Sequence, residues 1–156
     1  LSAAAAIRSL SAMTLSVISA REASIFGCLI DTTVEPVAPL PAVRDTDAVA
    51  FFDRWLARSP MPQRVGLRVL LYAAEVGPVL SGFRHRLRRL TPPERLRYLR
   101  RLERAPLPPI RQIVKLIVGM ATLAYYGDDQ VMQLLGYDAA ANVARGRALR
   151  DREGRP

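Results

Sequence analysis

Residues 110–126 read IRQIVKLIVGMATLAYY, and the state taken by this run decides the fold. Three readings compete for it: a buried strand, a membrane span and a core helix. Ile113 to Met120 has the composition of a strand, but an apolar run of this length between Pro109 and Gly127 is long for one and suits a helix. A membrane span calls for about 20 mostly apolar residues. This run is shorter and carries Arg111, Gln112, Lys115 and Gly119. A central core helix is the expectation.

The flanks agree with it. Downstream, Asp128 is placed to cap a short helix over residues 129–135, and Gly136 to end that helix in the left-handed conformation. Upstream, Pro106, Pro108 and Pro109 separate the run from a block opening Thr91-Pro-Pro-Glu94. There Thr caps, Pro occupies the first turn, where a missing N–H costs little, and Glu reaches back to the cap. Leu96, Leu99 and Leu102 give the block an apolar edge, surrounded by Arg95, Arg97, Arg100, Arg101 and Arg104. Further upstream, Ser19-Ala-Arg-Glu22 is a second capping box, followed by Ile25, Phe26, Leu29 and Ile30 at helical spacing. Pro36, Pro39 and Pro41 then form an extended connector. A helix starting near Asp45-Thr46-Asp47 buries Val49, Phe52, Trp55 and Leu56. The next is expected over residues 63–76, broken at Gly77-Pro78 and resuming over 79–89. No segment alternates with period two for long enough to require a strand. The expected fold is all-α: a compact bundle of five to seven short helices with Pro-rich connectors.

Three regions follow from this pattern: a disordered leader over 1–18, with Met13 a candidate start; one helical domain over 19–137; and a flexible basic tail over 138–156. At 156 residues a single domain can bury a sizeable core. One cysteine, Cys28, rules out an internal disulfide framework, and one histidine, His85, rules out His-rich metal centres. Cys28 falls within the first helix as a small core residue. His85, set among Arg84, Arg86 and Arg88, reads as an exposed surface residue. The Asp128–Asp129 pair reads as a cap rather than a metal site. No Gly-rich phosphate loop is present, since the nine glycines lie singly. The chain is expected to be non-catalytic, with no cofactor of its own.

The formal charge is +9, and it is concentrated. Residues 1–83 are neutral overall, whereas residues 84–104 hold nine arginines against two acids. Such a face suits nucleic acid, an anionic surface or an acidic partner protein. Sequence-specific DNA binding calls for base-reading side chains on a recognition helix, and RNA binding for aromatic platforms, for which only Phe83 and Tyr98 are near. A protein contact or a solvated face fits better, and a small basic nucleic-acid-binding regulator is the alternative.

The segment LAYYGDDQVMQLLGY, residues 123–137, resembles the signature of the small (gamma) subunit family of gluconate 2-dehydrogenase-type flavoprotein dehydrogenases. The order of the remaining blocks is similar to that family over residues 19–137: the capped first helix, the connector at 35–41, the run from Asp47 to Asp53, the Leu-rich helix, and the Leu-Thr-Pro-x-Glu-Arg block at 90–99. The resemblance implies a helical accessory subunit that assists a larger, FAD-containing GMC-type oxidoreductase in a bacterial cell. Members commonly carry a twin-Arg export signal; none is seen here, which favours a cytoplasmic complex over an exported one. Tyr125 and Tyr126 are expected to pack in the core. The expected partner-binding residues are Arg84, Arg88, Arg97, Arg100, Arg101, Arg104 and Tyr137.

Overall fold

The computed structural model describes residues 15–154. Among them it forms seven α-helices and no strand: α1 (Ala20–Val34), α2 (Ala48–Arg58), α3 (Met61–Leu80), α4 (Pro92–Glu103), α5 (Pro108–Tyr126), α6 (Asp129–Leu134) and α7 (Ala139–Glu153). Two 3₁₀ turns, Val43–Asp45 and Leu87–Arg89, lie in the connections. The all-α bundle expected from the sequence is therefore observed. No helix among the described residues is long and apolar enough to cross a membrane.

α1 is the hub. Its capping box is complete: the Glu22 carboxylate accepts from the Ser19 N–H at 2.7 Å, and the Ser19 hydroxyl accepts from the Glu22 N–H at 3.2 Å. Ala23, Ile25, Phe26, Leu29 and Ile30 are buried around it, because α1 packs against α5 most extensively and also touches α2, α3 and α4. The Phe26 ring stacks on Phe52 of α2 with centroids 3.9 Å apart, extending the core sideways. α5 presents Val114, Ile117, Ala121, Ala124 and Tyr125 to the interior, so the deciding run is the core helix expected of it. The Tyr125 hydroxyl donates to the Pro41 carbonyl at 2.7 Å and fastens the Pro-rich connector to the end of α5. Tyr126 is half-exposed, against the expectation that both tyrosines pack inside; it lies edge-on to Tyr125 at 5.2 Å.

Four boundaries differ from the sequence reading. Of the expected leader, residues 1–14 lie outside the described residues, but residues 15–18 are fastened down. The Asp53 carboxylate accepts from the backbone N–H groups of Ser16, Val17 and Ile18 and from the Ser16 hydroxyl, at 2.7–2.9 Å. Second, α3 runs through Gly77-Pro78. Pro78 sits in the last turn, where a missing N–H costs a single bond to the preceding turn, and its ring is buried. Gly77 is required there because a Cβ would run into the Tyr98 hydroxyl, with the ring Cζ only 3.2 Å away. Third, the stop comes at Gly82, with φ +88. The Gly82 N–H bonds the Val79 carbonyl and the Phe83 N–H the Pro78 carbonyl, a Schellman closure, so Val79 and Leu80 finish α3 and residues 81–89 hold only the 3₁₀ turn that buries Leu87.

Fourth, residues 139–153 take up helix instead of fraying. Asp138 caps them by accepting from the Ala141 N–H, Ala and Arg favour helix, and Gly154 at φ +61 ends the run. No described side chain of α7 is buried.

Candidate partner-docking surface

α4 is built to display charge on one side and bury apolar surface on the other. At its start the Glu94 carboxylate accepts from the Thr91 N–H and hydroxyl, both at 2.8 Å, which together with the nearby Arg97 guanidinium hold the Glu94 carboxyl below its ordinary value. Tyr98 and Leu99 point into the core, with the Tyr98 ring edge-on to Phe83 at 5.8 Å. Burial alone pushes the Tyr98 phenol up to about 12. Arg97, Arg100, Arg101 and Arg104 follow the positions i, i+3, i+4 and i+7, a single helical face. All four are exposed and line one groove of about 760 Å³, which Pro93, Leu96, Leu102, Ala105 and Pro106 line as well. Ser81, just past the end of α3, closes one side, and its carbonyl accepts from the Arg101 guanidinium at 2.9 Å.

The arginines of residues 84–104 thus divide into two sets. Arg88 is not displayed: its guanidinium meets the Glu75 carboxylate at 3.1 Å, and its N–H approaches the other oxygen at 3.3 Å. Glu75 is 2% exposed and needs a cation, which removes Arg88 from the expected contact residues. Arg95 is likewise turned inward, donating to the Leu90 carbonyl at 3.0 Å. Arg84 is exposed, as is His85, but neither lines the groove. Tyr137 stands elsewhere, in a separate hollow with Asp129, Met132, Gln133, Gly136 and Asp138. Its backbone closes α6: the Tyr137 N–H bonds the Met132 carbonyl at 2.9 Å and Gly136 takes φ +70, as expected of that glycine.

No protein-family model, curated protein or solved structure matches this chain.

Two features escaped the sequence reading. Glu75 falls on the buried stripe of α3, with Leu67, Leu71, Ala74 and Pro78. A lone acid in an apolar stripe, followed by an arginine-rich segment, was the available signal. The second is the opposite face of α3. Met61, Val65, Val69, Tyr72 and Val76 recur at helical spacing and are all exposed, and Leu80 beyond them is 84% exposed. The Arg21 guanidinium lies 5.5 Å from the Tyr72 ring centre. Arg64 and Arg68, which flank this row, are already occupied. Arg64 donates to the Ser59 and Ala57 carbonyls, and Arg68 pairs with Glu22 and donates to Val17.

Other chemistry-bearing groups are accounted for internally. Cys28 is buried as expected, and burial pushes its thiol up to about 11, leaving it protonated at neutral pH. Asp128 does more than cap α6: one oxygen accepts from the Gln130 and Val131 N–H groups, the other from the Asp47 N–H at 2.7 Å. It therefore ties the start of α2, where Asp47 makes no side-chain cap, to the start of α6. Among the described residues no group of three or more His, Cys, Asp and Glu is arranged to hold a metal ion.

Proposed function

We propose that this chain is a non-catalytic accessory subunit that binds a larger FAD-dependent oxidoreductase of the GMC type and stabilises it or helps it assemble, with FAD carried by that partner. The observation that carries the partner-binding part is the exposed apolar row of α3, which ends beside the arginine-lined groove. A row of five large apolar side chains along one helix is costly in water, and contiguous exposed apolar surface of this kind marks protein contacts. Full burial of such a side chain contributes about 1.5–3 kcal/mol, and these are roughly half-covered already, so each has about 1 kcal/mol to gain from a partner. Nucleic acid offers no matching surface, which favours a protein partner over the basic-regulator alternative. The resemblance of residues 123–137 and of the block order to the gluconate 2-dehydrogenase small subunit supports the choice of a flavoprotein.

The test is co-expression of the tagged chain with a GMC-type oxidoreductase. A flavin-bearing polypeptide is expected to elute with the chain at a fixed ratio and to melt higher than when expressed alone. A chain that elutes without flavin absorbance, at the same yield, removes this reading.

A further inference from the structure

The groove on α4 has a chemistry specific enough to name what enters it. Among the described residues no carboxylate comes within ion-pair distance of Arg97, Arg100 or Arg104, whereas the buried Glu22 and Glu75 each pair with an arginine, Arg68 and Arg88. Arg97 acts on Glu94 only through space, and Glu103 does not line the groove. Arg101 is held in orientation by the Ser81 carbonyl, with the rest of its guanidinium fork still available. Four like charges on two successive turns repel one another, and the cluster is tolerated at the C-terminal end of α4 because the helix dipole favours cations there. Arg88 and Arg95, by contrast, are neutralised or anchored inside.

The lining of the groove combines four arginines with apolar, aliphatic groups. Leu96, Leu102, Ala105 and Pro106 offer contact to an aliphatic side chain, and no aromatic ring lines the groove as a platform for a base. Guanidinium groups bind carboxylates bidentately, and Arg97/Arg101 and Arg100/Arg104 are each separated by about one helical turn. From this charge complementarity and aliphatic lining we infer that the groove binds an acidic segment of the partner protein, presenting carboxylates about one helical turn apart and a leucine-like side chain between them. This assignment deepens the partner-binding reading and rests on it.

A short labelled peptide with glutamates at helical spacing and leucines between them tests it against the full-length chain, read by fluorescence anisotropy near physiological salt. Three controls accompany it: the same peptide with Gln for Glu, the same peptide with Ser for Leu, and duplex DNA. The acidic leucine peptide is expected to bind at least about tenfold more tightly than all three. The double variant Arg100→Glu/Arg104→Glu should lose that binding by a similar factor at an unchanged melting temperature. Arg100→Lys/Arg104→Lys should show a smaller loss, since charge is kept and the bidentate fork is not. Duplex DNA or the leucine-free peptide binding as tightly as the leucine peptide would overturn the assignment, as would full binding by the charge-reversed variant. Because no flavoprotein is present, loss of peptide binding alongside intact flavoprotein capture sinks the groove assignment alone. Peptide binding without flavoprotein capture sinks only the identity of the partner.

Discussion

At the scale of single residues, buried ionisable groups hold distant parts of the chain together. Asp53 is the clearest case. Burial pushes its carboxyl up, but the donors from the backbone of Ser16 and Ile18, the Ser16 hydroxyl and the Val17 backbone outweigh that, leaving it below its ordinary value. A carboxyl lowered in the folded state stabilises the protein above its unfolded value of 3.8 and loses that contribution as pH falls through the folded value. Asp53→Asn should therefore cost about 2 kcal/mol near neutral pH, release amide-exchange protection at Ser16 to Ile18, and flatten the acid limb of the stability curve. Unchanged protection at those amides would show that the carboxylate does not hold the segment. The opposite sign applies to Cys28 and Tyr98, raised by burial from 9.0 to about 11 and from 10.0 to about 12. Above about pH 9 the unfolded chain releases the Cys28 proton first, and above about pH 10 that of Tyr98, so stability is full below these values and falls as pH climbs towards the folded ones. Urea melts should show this alkaline loss, and Cys28→Ala and Tyr98→Phe should each make the slope shallower; equal slopes in all three proteins would contradict it. Such residues were only half legible. The capping boxes at Ser19 and Thr91 and the left-handed Gly136 could be read because their partners lie within a few positions. Asp53 and the second role of Asp128 could not, since their partners stand 35–37 and 81 residues away.

At the scale of elements, helices announced themselves by their apolar spacing and caps, whereas their ends depended on contacts made by folding. Gly77-Pro78 looks like a stop in any local reading. It is overridden because Gly77 gives the space that Tyr98 of α4 needs, and because the real stop is the Schellman closure at Gly82. α7 was missed for the converse reason: it has propensity and caps but no buried stripe, and periodicity was the signal being read. The Glu75–Arg88 pair is the tie between α3 and the 3₁₀ turn at Leu87–Arg89, and it makes an element-level prediction. Arg88→Met leaves a carboxylate buried without its cation and should cost about 2–3 kcal/mol. That is near the low end for a broken buried pair because the Arg88 side chain is a third exposed. Glu75→Gln/Arg88→Met removes the charge along with its partner and should recover most of the loss. Chemical denaturation of the wild type, both single variants and the double variant closes the cycle. Additive losses would mean that the pair does not couple α3 to the turn.

At the scale of the whole molecule, charge and apolarity are sorted onto surfaces that the composition does not reveal. A charge of +9 on a small chain suggests a uniformly basic binder. In the fold, Arg88 and Arg95 are consumed inside, while Arg97, Arg100, Arg101 and Arg104 gather in one groove, next to the end of a helix that is apolar on two faces. The arginine cluster was visible in the sequence as a stretch of nine; its division was not, because the need of Glu75 for a cation emerges only when α3 packs. The outer row of α3 should matter for association and hardly at all for folding. Val65 and Val69 are 51% and 63% exposed, so Val65→Glu/Val69→Glu removes little buried surface and replaces a β-branched residue by a better helix former. Its stability should stay within about 0.5 kcal/mol of the wild type. Placed against a partner, the same two carboxylates would have to be desolvated opposite apolar groups, and co-elution of the proposed flavoprotein partner should fall by at least about tenfold. The pair of changes also separates the two surfaces: the acidic leucine peptide, which needs only the α4 groove, should bind this variant as it binds the wild type. A variant that still carries the proposed flavoprotein partner in full would show that the α3 row faces water for a reason other than docking.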